Sequence, residues 1–338
     1  MDWHKHFQTV FFESWQEAGL PNYQDFLPEY YKLIEQPDIK NEIIMKSAII
    51  SKGIDHAQLY GVYGFGKFWG NLFGELLGSN SCVVEHTSDW CGRFNLGISL
   101  FDYISDEMNG VNRVISLKVF QPFTQAAYSE CLSLTPAEEL LSNLARSVLN
   151  DLKKAERTRE GSQKTDSLFR VLKQLFNAQN YVSREKLASD ADLKKVQKAL
   201  ALKSAEPFRV MGEYSACMID ANDEVLTSNA RTIGRAVGYC YWLIDDAKDV
   251  WVDHGANHWN LFLLLAAKED PQILKQNRDA LTEGRFNAIW KNANHAQIMS
   301  DQVIKRLVTS IRKAGVTEEV KHHTLGLLSA SLFHWYHY

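Results

Sequence analysis

The chain has 338 residues, 45% of them hydrophobic and 12% aromatic, with only 7 prolines and a formal net charge of -4. That is long and apolar enough to bury a sizeable core, which excludes a disordered chain, and the slightly acidic balance gives no sign of a nucleic-acid partner. No apolar run approaches the roughly 18 residues that a membrane span needs.

From the N terminus, Met1 to Gly19 is interrupted by His4, Lys5, His6, Glu13 and Glu17 and lacks the uncharged core of a signal peptide. Cys82, Cys91, Cys131, Cys217 and Cys240 are odd in number and without paired metal spacing, which points to free thiols in a reducing cytoplasm. Asp2 to Ala18, Asn41 to Gly53 and His56 to Leu77 carry apolar residues at helical intervals, separated by turns such as Gly19-Leu20-Pro21-Asn22 and Gln36-Pro37-Asp38. Ser88 or Asp89 is the expected cap of a long helix that carries Asp102 to its C-terminal end. Thr135-Pro136-Ala137-Glu138 predicts another start, with proline at the first helical position, and a helix running to about Lys154. Ala155 to Ser167 holds no large apolar residue and reads as a surface loop or as an active-site lid. No period-two alternation predicts a sheet, and no repeat or linker divides the chain. The expected architecture is all-α, a single-domain helical bundle over residues 1–338.

Two of the apolar helices end in acid. Gly97 to Glu107 closes with Asp102 and Asp106 at i and i+4 and Glu107 beside them, and Tyr239 to Trp251 closes with Asp245, Asp246 and Asp249. Side chains one turn apart share a helix face. Each segment alone also reads as a buried helix whose exposed end turns polar. Facing each other across a cavity, the two read as a diphosphate clamp, because carboxylates completed by substrate phosphate and water are what Mg2+ prefers; Mn2+ suits the same oxygens. Between them, Lys203-Ser204-Ala205-Glu206-Pro207-Phe208 has two readings. Either a continuous helix is kinked by Pro207, turning the Lys203 carbonyl outward, or a helix simply ends near Glu206.

Taken in order, the Asp102 to Asp106 turn, Lys203-Ser204 and the Asp245-Asp246-Ala247-Lys248-Asp249 turn resemble the three signature positions of the class I isoprenoid synthase family, the all-α prenyltransferases and terpene synthases, over roughly Val83 to Leu265. Tyr103 stands where the family's first Asp-Asp-x-x-Asp has its second aspartate, and Ser204 where it has threonine; the second motif is intact. The resemblance implies a bundle with a central cavity and three Mg2+ ions. Asp102 and Asp106 would hold two of them, and Asp245, helped by Asp246 and Asp249, the third. It further implies Lys203 on the diphosphate, with Arg113 and Lys118 as supplements, and Lys203, Ser204, Asp102 and Asp245 as the catalytic set. Phe101, Phe208, Tyr239 and Trp242 are candidate walls of a carbocation pocket, although aromatics at this spacing also read as plain core. Ile98 and Gly97 occupy the family's floor positions, and the missing side chain of Gly97 leaves room for a C15 to C20 or longer chain. A homodimer through the early helices is a further family expectation.

The chain departs from the elongating members of that family at the second substrate. Nothing between Asn41 and Gly78 matches their Gly-Gly-Lys-x-x-Arg-Pro, Asn95 stands in place of a histidine, and Asn112-Arg113-Val114 in place of Arg-Arg-Gly. Without fixed cations a second diphosphate has little to hold it. The expected function is therefore a class I terpene synthase that ionises a single prenyl diphosphate and cyclises or rearranges the cation. One alternative is a prenyl-elongating synthase whose isopentenyl diphosphate site is rebuilt from Lys46, Lys52, His86 and Arg93; another, motivated by Tyr103, is a non-catalytic partner subunit. His254 and His258 have zinc-like spacing, but Gly255 lies between them and no third ligand is evident. The aromatic C terminus, Phe333 to Tyr338, reads as a lid over the cavity mouth or as a subunit contact.

Overall fold

The computed structural model describes residues 3–34, 42–45, 55–107, 117–123, 133–157, 165–182, 192–269 and 295–337. Among these residues there are α-helices and short 3-10 turns but no strand, and no helix is long and apolar enough to cross a membrane. The chain runs through α1 (Trp3–Glu17), α2 (Leu27–Ile34), α3 (Glu42–Met45) and α4 (His56–Leu76) into α5 (Ser81–Glu107), which ends in the first acidic turn. After α6 (Pro136–Arg157) and α7 (Thr165–Val182) come two abutting helices, α8 (Leu193–Ser204) and α9 (Glu206–Ile219). The 33-residue α10 (Glu224–Ala256) carries the second acidic turn, and α11 (Leu261–Glu269), α12 (His295–Arg312) and α13 (Glu318–His337) complete the bundle.

The caps correct several expected boundaries. Helix α5 starts well before Ser88: α4 stops at Gly78, whose φ of +70° favours glycine, and Asn80 accepts a hydrogen bond from the Val83 N–H at 3.0 Å. Ser88 instead donates back to the Glu85 carbonyl in mid-helix, and Asp89 pairs with Arg93. At α6 the expected start is seen as a reciprocal box, with the Thr135 N–H on Glu138 at 2.7 Å and the Glu138 N–H on the Thr135 hydroxyl at 3.3 Å. Helices take both ends of the polar segment at Ala155 to Ser167; residues 158–164 between them lie outside the described residues. Helix α10 runs through Gly255 and closes on Asn257 in the left-handed conformation, leaving His258 beyond it.

Two apolar clusters fill the interior. The larger one joins α1, α4, α9, α10, α12 and α13 around Trp69, Trp90, Tyr214 and the buried face of α10 at Tyr241 to Ile244. The smaller one packs Leu100, Phe101 and Ile104 of α5 against Leu140, Leu141 and Leu144 of α6 and Phe176 of α7. The aromatic C terminus belongs to the first cluster and packs within the chain. Phe333 stacks on Tyr23 with ring centres 3.8 Å apart, and Trp335 stacks on Phe65 at 5.2 Å. The thiols of Cys91 and Cys240 are pushed well above their usual range by burial, which leaves them unreactive.

The junction of α8 and α9 decides where Lys203 lies. The helix breaks at Ala205, and Pro207 falls in the first turn of α9, where its missing N–H has no helical partner to lose. Behind it, Glu206 and Glu213 are buried and share three arginines. Arg209 reaches both, Arg235 donates to Glu206 at 2.5 Å and Arg231 donates to Glu213 at 2.6 Å. Buried carboxylates survive only when paired in this way. The junction also sits directly on α10, with no room for a side chain at Gly238, where a Cβ would run into the Ala205 carbonyl oxygen. Gly238→Ala should therefore force the two helices apart, at a cost of about 1–3 kcal/mol. A thermal melt should show this as a Tm lower by a few degrees.

Candidate active site

Helices α5, α6 and α7 enclose an apolar cavity. Gly97, Ile98 and Phe101 form one wall, Leu144 and Val148 the second, and Leu172, Leu175 and Phe176 the third. Gln179 and Lys203 stand at the end nearest Asp102, which accepts hydrogen bonds from both, the Lys203 ammonium at 2.9 Å. At the other end is Arg93. Arg93 and Phe101, which both line the cavity, are eight residues apart on α5, about 12 Å along the helix axis. Apart from Arg93, Gln179 and Lys203 the cavity lining is apolar.

The second acidic turn has two sides. Asp245 is open to solvent yet protein surrounds its base, and desolvation followed by the charge of Asp249 one turn on pushes its pKa up from 3.8 to about 6. The charge of Lys203 opposes that shift, so Lys203, ion-paired to Asp102, also faces Asp245 and lies between the two acidic turns. Asp246 points the other way. It accepts the Leu261 N–H at 2.6 Å and the Trp242 indole N–H at 2.8 Å, and burial drives its pKa far up. Its geometry is that of a latch between α10 and the start of α11. Asn260 completes the latch by donating to the Asp246 carbonyl and to Asp253.

Asp253 escaped the sequence reading. Its signal was the continued four-residue spacing, since Asp245, Asp249 and Asp253 stand one turn apart on α10. Burial raises its pKa too, against the lowering charges of His258 and Lys203. The remaining candidates scatter. Phe101, Gly97 and Ile98 line the cavity. Phe208, stacked on Tyr241 at 5.1 Å, and Trp242, bonded to Asp246, are packed into the core outside it, and Tyr239 lies against Trp242. Ser204 is half-buried at the end of α8, away from the cavity lining. The side chain of Asp106 and all of Arg113, Lys46 and Lys52 lie outside the described residues. Of the other cations considered for a second diphosphate, His86 meets the Tyr214 hydroxyl at 3.3 Å and Arg93 is held at the far end by Asp89 and Asp151. Neither is at the mouth.

Among the described residues, Asp102 and Asp245 are linked through Lys203 and Asp249 stands one turn from Asp245, and such an oxygen donor set fits a hard divalent cation. Among the described residues no three histidine, cysteine or carboxylate side chains converge closely enough to hold an ion by themselves. An ion there would need oxygens from a ligand to complete its shell.

No protein-family model matches the chain, and no curated protein sequence matches it significantly. Solved structures do match it over nearly its full length. A geranylgeranyl pyrophosphate synthase from Lactobacillus brevis is 14% identical with a TM-score of 0.58, covering 95% of this chain and 98% of its own. A polyprenyl synthase from Caulobacter crescentus, complexed with calcium and isoprenyl diphosphate, is 12% identical with a TM-score of 0.53 and covers 96% of both chains. A heptaprenyl diphosphate synthase from Staphylococcus aureus is 13% identical with a TM-score of 0.54, covering 94% and 98%. The likeness defines the fold: the chain has the all-α isoprenoid synthase architecture.

The raised pKa of Asp245 has a testable consequence. A carboxyl whose pKa is higher folded than unfolded binds its proton more tightly in the native state, so stability falls as pH rises from about 4 to about 6 and stays reduced above that. Asp245→Asn removes the charge and should raise Tm at about pH 7.5 in metal-free buffer, with no gain at about pH 4. Thermal scans at the two pH values check it, and an equal effect at both would contradict the assignment.

Proposed function

We propose that the chain binds a prenyl diphosphate with its hydrocarbon tail lying straight in the passage beside α5, and that it acts as a prenyl-elongating diphosphate synthase dependent on a divalent metal, with Mg2+ the expected ion. The observation that carries this reading is the cavity itself: an apolar space between α5, α6 and α7, with Lys203 in its lining and that lysine paired to Asp102. Such a space suits an extended chain. A cyclising enzyme would need a contour that folds the chain back, and the aromatics considered for that role, Phe208, Tyr239 and Trp242, do not line it. The matching folds agree, since their described proteins make geranylgeranyl, polyprenyl and heptaprenyl diphosphates.

On this reading each residue has a limited task. Asp102, Asp245 and Asp249, with Asp106, would hold divalent ions, and those ions when bound neutralise charge on the departing diphosphate. Lys203 contributes a fixed positive charge at the same place, worth most as the allylic carbon–oxygen bond breaks and the oxygens gain charge. The walls at Ile98, Phe101 and Phe176 exclude water from the resulting cation. Asp246 anchors the turn that presents Asp245.

A second reading, a terpene synthase acting on one prenyl diphosphate, is favoured by the lack of the family's second-substrate motifs in the sequence. Asn95, where elongating members of the family have a histidine, is tied through its side chain to the Val62 carbonyl at 2.9 Å and brings no charge. The two readings separate in one assay. Incubated with Mg2+ and C10, C15 or C20 prenyl diphosphate, the protein should form longer diphosphates only when isopentenyl diphosphate is present; a cyclic or rearranged terpene formed without it would replace the elongation reading. Lys203→Gln should lower kcat by about 10^2–10^3, and Asp102→Ala and Asp245→Ala should abolish turnover; no turnover by the wild-type protein alone would leave only a non-catalytic partner role, and activity surviving in all three variants would overturn this site. A Cβ at Gly97 would meet Leu144 at an ordinary 4.0 Å, so Gly97→Ala should be tolerated. Gly97→Phe should fill the passage and shift preference to shorter substrates.

A further inference from the structure

We infer that Asn260 is a positioning residue of the candidate metal site: its side-chain amide fixes Asp253 beside the second acidic turn and so keeps the carboxylates of α10 in register for a divalent ion. The inference rests on the prenyl diphosphate reading above, in which Asp245 and Asp249 hold such an ion. Asn260 belongs to neither acidic turn and is not part of the cavity lining.

Asn260 is fully buried in the short connection between the end of α10 and the start of α11 at Leu261. Its Oδ1 accepts the Phe262 N–H at 2.9 Å, which is the capping bond of α11. That bond decides which way the amide faces. Turned over, it would set its NH2 group against the Phe262 N–H and its oxygen against a carboxylate. Nδ2 is therefore directed back at α10, where it donates to the Asp246 carbonyl at 2.7 Å and to Asp253 Oδ2 at 2.8 Å. Both of its protons are used. A cap by itself needs only an oxygen, which serine, threonine or aspartate also supplies. An amide is the side chain that offers a capping oxygen and two donors together.

Asp253 stands one turn beyond Asp249 and two beyond Asp245 on the same helix face. It is half-buried, and its charge is felt by Asp245 while those of Asp249 and Lys203 act on it in turn. Like charges in such a row repel, so a carboxylate free to rotate would swing toward water and away from the other two. The bond from a buried amide stops that rotation and keeps the third charge of the row next to the second. Partners that orient the carboxylates around an ion are typically worth about tenfold to a hundredfold in its affinity.

The test measures by calorimetry the Kd of the Mg2+ complex of inorganic diphosphate, and Tm in metal-free buffer, for the wild type, Asn260→Ser, Asp253→Ala and the double variant. Asn260→Ser keeps a capping oxygen and removes both donors to α10. It should weaken binding by about tenfold to a hundredfold while α11 stays capped. Asp253→Ala leaves the cap untouched and should weaken binding at least as much. The double variant should bind no more weakly than Asp253→Ala, because Asn260 acts through that carboxylate. Unchanged affinity in Asn260→Ser, or in Asp253→Ala where Asn260→Ser fails to fold, overturns the positioning role and leaves the proposed function standing. Losses that simply add in the double variant overturn it as well, since Asn260 would then serve the connection between the helices alone. Wild-type protein that does not bind the Mg2+ complex overturns the proposed function and this inference with it.

Discussion

The ion pair between Lys203 and Asp102 is the contact on which the site depends. It joins the end of α8 to the end of α5, and the same ammonium is felt by Asp245 on α10, so three helices distant in sequence are registered by one charge. That position exists because the helix breaks at Ala205. A continuous helix would carry the chain on without the change of direction, and the break is tight because α10 offers Gly238 beneath it. Behind the break, two buried glutamates shared among Arg209, Arg231 and Arg235 keep α9 against α10. The lysine beside the cavity is thus placed by packing and by a charge cluster on the opposite side of the junction.

The acidic turn of α10 shows how neighbouring identical residues acquire different tasks. Asp245 and Asp246 are adjacent, and the 100° step between successive helical residues sends one toward the cavity mouth and the other into the protein. The inward carboxylate is met by a backbone N–H and an indole N–H; the outward one is left with like charges one turn along. Like-charged carboxylates kept close together favour a cation between them.

The passage is built on the same economy of placement. Its walls come largely from the smaller apolar cluster, in which α5, α6 and α7 meet, and its polar lining is Arg93 of α5, Gln179 of α7 and Lys203 of α8. Helix α5 supplies Arg93 and the open middle at Gly97, and carries Asp102 beyond them.

Much of this was legible in the residues alone. Helical periodicity and cap chemistry are local, so the all-α class, the Thr135 start and the two acidic turns follow from the order of residues along the chain. The spacing of Asp245 and Asp249 likewise required only the pitch of a helix. What the sequence could not decide was direction and partnership. It could not tell that Asp246 turns away from Asp245, that Arg93 is held at the far end of the passage by Asp89 and Asp151, or that Phe208 and Trp242 belong to the core. Nor could it place the start of α5, because Ser88 and Asp89 have the chemistry of caps and are satisfied instead by neighbours within and beyond their own helix. Each of these depends on which helix lies alongside, at distances of a few ångströms between residues tens of positions apart, and only the tertiary structure brings such residues together.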